Sequence, residues 1–247
     1  MKAGVPFEVS FCTTAMGRLH HVRQTLPQNL DWHKTAPGVE FVLVDYSSAD
    51  GLSDWVKKDL SAWLDTGTLS FYQVAGYQEF DWSHAKNIAH RAARGRIVCN
   101  IDADVFAGPN FADILVQEFA KCERMFVGLR RNKGCIAMRK DDFVSLGGYD
   151  ERFVHGWSHE DTDLMRRAEA WGLRKTILAR KDGFPRFIRH GDEERTQNHK
   201  EKDVRRSNHA HRELSRASLA AGEFEANQSK TWGKARVVRN FTEVIAI

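Results

Sequence analysis

Two aspartates, Asp102 and Asp104, interrupt the largely apolar run VCNIDADVFAG at residues 98–108. In an extended chain, residues two apart project to the same side, about 7 Å from one another. Two carboxylates so placed repel unless a cation or hydrogen-bond donors intervene. A divalent ion carrying phosphates is one answer, because carboxylate oxygens suit Mg²⁺ or Mn²⁺ and the ion neutralises a diphosphate. A turn in which each aspartate accepts backbone N–H groups is the other, and D-x-D spacing alone does not choose between them.

A second group of acids lies in GWSHEDTDLMRRAEAWG, residues 156–172. Glu160, Asp161 and Asp163 crowd the first turn of an expected helix, where the dipole favours negative charge, and Ser158 with Asp161 resembles a capping box. Helical spacing separates their roles. Asp161 shares a face with Leu164, Met165 and Ala168 and is expected to point inward, whereas Asp163 is placed to pair with Arg167 on a wetter face. A carboxylate at the apolar edge of a helix start is suited to proton transfer, since burial raises its pKa while the dipole opposes the rise.

The third candidate is His190 in FIRHGDEERTQNH. Taken alone it reads as a surface or hydrogen-bonded histidine. Converging with Asp104, it would complete a carboxylate–imidazole pair that favours Mn²⁺ or a similar transition metal over Mg²⁺.

The elements that must position these groups follow a strand–helix rhythm. Runs 7–13 and 41–44 are apolar and β-rich, and Leu52, Trp55, Val56, Leu60, Trp63 and Leu64 recur close to every 3.6 residues. Residues 69–74 continue the sheet, 83–94 form a helix stopped by Gly95, and 97–101 form the strand before the aspartates. Consecutive βα units imply an α/β domain with a mostly parallel sheet, whose ligands gather beyond the strands' carboxyl ends. Later come a hairpin around Asn132 and Lys133, a short helix at 141–146, the helix at 157–172 and a strand at 176–179. Beyond Gly191 the chain turns strongly polar, and 191–211 reads either as a closing lid hinged at Gly191 or as a disordered connector leading to a helix near 214–221.

The whole composition suits this plan. The 247 residues are 42% hydrophobic and 28% charged, enough apolar surface for a core and nothing like a fibre or a disordered chain. A net charge of +4 suits a phosphate-bearing ligand without demanding nucleic acid. Cys12, Cys99, Cys122 and Cys135 form no CxxC pair and are expected to be reduced core residues. With no apolar run long enough for a signal peptide or a membrane span, a cytoplasmic protein is expected, peripheral contact with the inner face of a membrane being left open.

Taken in order, these segments resemble nucleotide-sugar glycosyltransferases of the A-type (GT-A) fold, and the second half is similar to the β-1,4-galactosyltransferase and chondroitin-polymerase group. The likeness rests on GCIAMRKDDFVSLGGYDERFVHGWSHEDTDLMRRAEAWG followed by FIRHGDEE, with FCTTAMGR, VDYSS, HAKN and DAD before them, over roughly residues 7–200. It implies a single Rossmann-like GT-A domain at 1–200, with a nucleotide-binding half (1–105) and an acceptor and catalytic half (106–200). A helical and polar extension at 201–247 would pack on the same domain.

The resemblance also implies roles. Thr13, Thr14 and Arg18 would hold the nucleotide and Asp45 would accept from the uracil ring. His84 and Lys86 would lie near the diphosphate or ribose, and Asp102 would touch the ribose or donor sugar. Asp104 and His190 would ligate Mn²⁺ (or Mg²⁺), Trp157 would wall the sugar site, Glu160 would bind hydroxyls and Asp161 would deprotonate the acceptor. The implied activity is inverting transfer of a hexose or N-acetylhexosamine from a UDP-sugar to a glycan acceptor, in surface-polysaccharide synthesis. Two departures stand out: Ser158 and His159 occupy positions where the galactosyltransferases usually carry glycines, and Phe187 stands where the animal enzymes carry a weakly ligating methionine, leaving more of the metal's shell to water and phosphate. The rival readings are a non-catalytic nucleotide-sugar or glycan-binding module, which Asp161 argues against, and a nucleotidyltransferase, for which FCTTAMGRLHH is a poor phosphate loop.

Overall fold

The computed structural model describes residues 7–130, 132–157, 159–179, 185–228 and 231–247. The first half runs β1 (Val9–Ala15), α1 (Leu19–Trp32), β2 (Val39–Tyr46), α2 (Leu52–Asp59), α3 (Ser61–Asp65), β3 (Leu69–Val74), α4 (Trp82–Ala92) and β4 (Ile97–Asn100). The second half runs β5 (Val105–Phe106), α5 (Phe111–Lys121), β6 (Met125–Leu129), β7 (Asn132–Arg139), α6 (Lys140–Ser145), α7 (Glu160–Ala170), β8 (Arg174–Leu178), β9 (Arg186–Phe187), α8 (Asp192–Thr196), α9 (Val204–Ala220), β10 (Arg236–Arg239) and β11 (Glu243–Ala246).

Nine strands form one sheet in the order β11-β10-β3-β2-β1-β4-β7-β6-β8. Its centre, β3-β2-β1-β4, is parallel, as expected where helices carry the chain back between strands. Antiparallel pairs lie on either side: β7 joins β4 and β6, and β10 joins β3. Alternate strand residues feed apolar layers on opposite faces. Phe11, Phe41 and Leu43 belong to one, Cys12, Val42 and Val44 to the other, so the central strands are buried on both sides. Three of the four cysteines are buried, and all four are free thiols. Among the described residues no helix is long and apolar enough to cross a membrane.

Several sequence expectations need adjusting. The amphipathic stretch after β2 is two helices, broken at Leu60. Gly95 lies beyond the end of α4 and is needed for close approach instead: a Cβ there would press on the backbone of Val9 and Ser10. The hairpin exists, with Asn132 already inside its second strand. Helix α7 starts at Glu160 rather than 157, and the proposed capping residue Ser158 lies outside the described residues. Asp163 does pair with Arg167, at 2.6 Å, but the pair is buried, not on a wet face. The 191–211 stretch is neither disordered nor a simple loop, since α8 and the first turns of α9 occupy much of it.

Candidate active site

The carboxyl ends of β1 and β4 open onto a cavity of about 560 Å³. After β4 the chain makes a turn in which the Val105 N–H donates to the Asp102 carbonyl at 2.9 Å, so the two aspartates sit on a bend. This alters the geometry expected of an extended D-x-D and gives the carboxylates different neighbours. Asp102 accepts from Asn100 Nδ2 at 2.9 Å. Asp104 is held by another element, where β5 pairs with β9 and the Ile188 N–H donates to the Asp104 carbonyl at 2.9 Å. That short ladder brings His190 Nε2 within 3.3 Å of Asp104 Oδ2.

The Asp104 carboxyl is pushed up to about 6, first by burial and then by the charge of Asp102, with His190 pulling the other way. One carboxylate oxygen and one imidazole nitrogen at this separation can share a divalent ion. The second nitrogen of His190, Nδ1, is buried without a hydrogen-bond partner, and Glu194 Oε2 at 4.0 Å lies beyond hydrogen-bond distance. The residues therefore fit a metal. Phe187 lines the same cavity, while His21, which the sequence did not single out, brings its ring centroid to 5.1 Å from that of His190.

Across the cavity floor, α4 and α7 hold a triad in which Lys86 and Glu160 are buried and Asp161 is partly exposed. Lys86 Nζ donates to Glu160 Oε1 at 2.9 Å and to Asp161 Oδ1 at 2.8 Å. The ammonium also lies over the rings of Trp82 and Tyr149. Burial raises the Asp161 pKa well above the usual carboxylate range; Lys86 opposes the rise, and the charges of Glu160 and Asp102 add to it. Glu160 shifts down, because the Lys86 ammonium outweighs its burial. Gly134 makes room for this cluster, since a Cβ there would collide with the Asp102 carboxylate and crowd that of Asp161.

The predicted substrate residues separate into two groups. Thr14, Arg18, Lys86, Asp102, Trp157 and Glu160 line the cavity. Thr13 does not; its hydroxyl donates to the Ile101 carbonyl at 2.9 Å and ties β1 to the turn after β4. Asp45 is buried at the end of β2 and accepts from the Ser48 N–H at 2.9 Å; burial raises its pKa against those bonds. His84 points away, its Nδ1 2.8 Å from the Tyr46 hydroxyl and its Nε2 3.1 Å from the Lys234 carbonyl. Lys86 sits with the acids of α7 rather than in an open phosphate pocket.

Helix α8 covers the loop after β1. Glu194 Oε1 accepts from Arg18 at 2.8 Å and lies 2.7 Å from His20 Nε2. Gln197 donates to the Gly17 carbonyl at 3.1 Å, and the Phe80 N–H donates to the Asn198 carbonyl at 2.8 Å.

His159 caps the start of α7 with φ +91°, in the left-handed region where side chains are strained by about 1–3 kcal/mol. The glycine that the resemblance implies near this position would relieve that strain, and the histidine here is held in place despite the cost.

Residues 10–144 match the glycosyl transferase family 2 model, and residues 120–191 match the N-terminal domain of galactosyltransferase. No curated protein matches the chain significantly. Among solved structures, S. aureus TarS 1–349 in complex with UDP-GlcNAc is 14% identical, with a TM-score of 0.61 over 75% of this chain and 60% of that one. The mannosyltransferase PcManGT from Pyrobaculum calidifontis, in complex with GDP-Man and Mn²⁺, is 18% identical, with a TM-score of 0.57 over 72% and 59%. Such identities establish likeness of fold, and the chain spans about three-fifths of the length of these relatives. With more than half of its residues inside the first match, on a sheet that follows the A-type plan, the chain belongs to glycosyl transferase family 2.

Proposed function

We propose that the protein is an inverting, metal-dependent glycosyltransferase that moves a hexose or N-acetylhexosamine from a UDP-sugar to a hydroxyl of a glycan acceptor, in the synthesis of a surface polysaccharide. The observation that carries the reading is the 3.3 Å approach of Asp104 Oδ2 to His190 Nε2, in the cavity that also holds Asp161. Asp104 and His190 would hold Mn²⁺, or Mg²⁺, and the bound ion would offset the charge that grows on the departing diphosphate. The related folds were seen with UDP-GlcNAc and with GDP-Man and Mn²⁺, which supports a sugar nucleotide and a divalent ion here.

The chain's own residues account for the rest. Arg18 and Thr14 line the donor side, and α8, docked on the loop after β1, serves as a lid that excludes water. Trp157 walls the sugar site. As the acceptor oxygen bonds to the anomeric carbon, the bond from that carbon to the phosphate oxygen breaks and its electron pair leaves with UDP. The acceptor's proton passes to Asp161, whose raised pKa suits it to receive one. Lys86 holds that carboxylate in place, and a single displacement inverts the anomeric centre. A cytoplasmic location, with contact at the inner face of a membrane, belongs to the same proposal.

Thermal unfolding with UDP and Mn²⁺ tests it. Ligand at about 100 times its Kd stabilises the fold by about 2.7 kcal/mol, and Asp104→Ala is expected to abolish the part that depends on Mn²⁺. Wild-type protein that is neither stabilised by UDP and Mn²⁺ nor able to hydrolyse any UDP-sugar would overturn the reading.

A further inference from the structure

The acids of the cavity already have partners: Glu160 and Asp161 share Lys86, Asp104 faces His190 and Asp102 accepts from Asn100. Its mouth is cationic. Arg166 of α7, Arg195 of α8 and Arg212 of α9 come from three separate elements and line the same opening. Two of the three are little compensated, and the third, Arg195, has a surface partner at 2.7 Å. Among the described residues Arg166 has no carboxylate within ion-pair distance, Arg212 meets only its neighbour Glu213 at 3.8 Å, and Arg195 pairs with Asp192 on an open surface.

These guanidinium groups are nevertheless positioned. Arg166 Nη1 lies 3.4 Å from His159 Nε2, and burial lowers the His159 pKa, leaving a neutral ring able to accept that bond. This is an explanation for a histidine in a left-handed position. Arg195 stacks over Trp157, 5.2 Å from the ring centroid. Ser207 of α9 donates to the Trp157 carbonyl at 2.9 Å, fixing the helix whose Asn208 and Arg212, one turn apart, both face the cavity. Helix α9 lies beyond both family matches, which end at residues 144 and 191, so part of this cationic rim is supplied by the segment that follows them.

We infer that the acceptor is an anionic glycan or polyol, carrying a carboxylate or phosphate next to the hydroxyl that reacts, and that Arg166, Arg195 and Arg212 read this charge while His159 positions Arg166. The planar fork of arginine suits two-point contact with either anion. The donor's diphosphate has partners of its own in Arg18 and in the ion that Asp104 and His190 would hold, so the arginines of α7, α8 and α9 are assigned to the acceptor. The inference rests on the glycosyltransferase reading above and extends it to the acceptor.

The test uses full-length protein saturated with UDP and Mn²⁺, with binding followed by titration calorimetry. Three probes are compared: hyaluronan tetrasaccharide, its carboxyl-reduced neutral counterpart, and a glycerol-phosphate trimer. At least one anionic probe is expected to bind about tenfold or more tightly than the neutral one, and which of them does so separates carboxylate from phosphate recognition. Arg166→Gln and Arg212→Gln should each reduce that preference severalfold while thermal stabilisation by UDP is retained, a pattern that loss of folding would not produce. His159→Gly should weaken the preference without lowering stability. Failure of UDP to bind overturns the glycosyltransferase reading; UDP binding with no preference for either anion, including no binding of either, overturns this inference alone.

Discussion

Lys86 pulls both of its carboxylate partners down, so what separates Glu160 from Asp161 is the rest of their surroundings. A single buried ammonium cannot fully satisfy both Glu160 and Asp161. Glu160 shifts down and stays ionised, whereas Asp161, also near Asp102, shifts up. The acid limb of the activity profile should therefore lie above the ordinary carboxylate range, with activity falling as the pH drops and Asp161 takes up a proton. Asp161→Asn keeps an oxygen facing Lys86 and nearly the same volume, so the variant is expected to fold and to be stabilised by UDP as the wild type is. Transfer should fall by about 10²–10⁴-fold, the usual worth of a positioned base. Steady-state turnover beside a thermal-shift measurement decides it, and near-normal turnover would remove Asp161 from that role. The acids of this site were visible in the sequence because each belongs to a compact motif. His21, Gly134 and Glu194 were not, because their importance comes from proximity across the fold: Gly134 is 32 residues from Asp102, and nothing local marks it as the position where a side chain would strike a carboxylate.

Helix α7 bears the acids because its opposite turns are anchored by Arg167. That guanidinium, almost fully buried, donates to Asp163 at 2.6 Å, to the Leu146 carbonyl at 2.8 Å and to the Gly148 carbonyl at 2.7 Å. Arg167→Leu would leave a buried carboxylate unpaired and carbonyls without donors, a loss of about 3–5 kcal/mol. Denaturant unfolding should show a midpoint shift of that size, and Arg167→Lys should recover only part of it because an ammonium lacks the fork that spans these acceptors. A loss under 1 kcal/mol for Arg167→Leu would show that the turn at 146–148 holds α7 without it. Helices α4 and α7 were legible from apolar residues repeating every three or four positions. Helix α9 was largely missed for a physical reason: its buried stripe is Ser207, His211, Ser215 and Ser218, which keeps helical spacing with polar side chains and so gives no hydrophobic period. The two-residue strands β5 and β9, which bring Asp104 to His190, are too short to carry any pattern of their own.

At the scale of the whole molecule, the βα rhythm and the apolar runs were enough to imply the parallel block β3-β2-β1-β4 and a site at its carboxyl ends. The return of β10 and β11 to the β3 edge was not, since their pairing depends on partners more than 160 residues away. Packing so many elements around one sheet has also enclosed histidines that the unfolded chain would hydrate. Burial lowers His90 from 6.5 to about 3, with the charges of Lys86 and Lys140 adding to it, and lowers His21 and His199 to about 4 and His33 as well. The sign follows directly. Between about pH 6.5 and those folded-state values the unfolded chain binds protons that the folded chain does not, so stability falls as the solution is acidified. Each such histidine contributes a slope of up to about 1.4 kcal/mol per pH unit in that window. His90 is the cleanest to isolate, because its ring stacks on Phe143 with centroids 4.7 Å apart, well inside the core. His90→Phe preserves a ring against Phe143 and removes the proton site. Urea unfolding at half-unit steps from pH 8 to pH 4.5 should give the variant a shallower fall in stability, by up to about 1.4 kcal/mol per unit, with the two curves closest in slope above pH 7. Parallel curves across that range would mean that His90 takes up its proton as readily in the folded protein as in the unfolded chain.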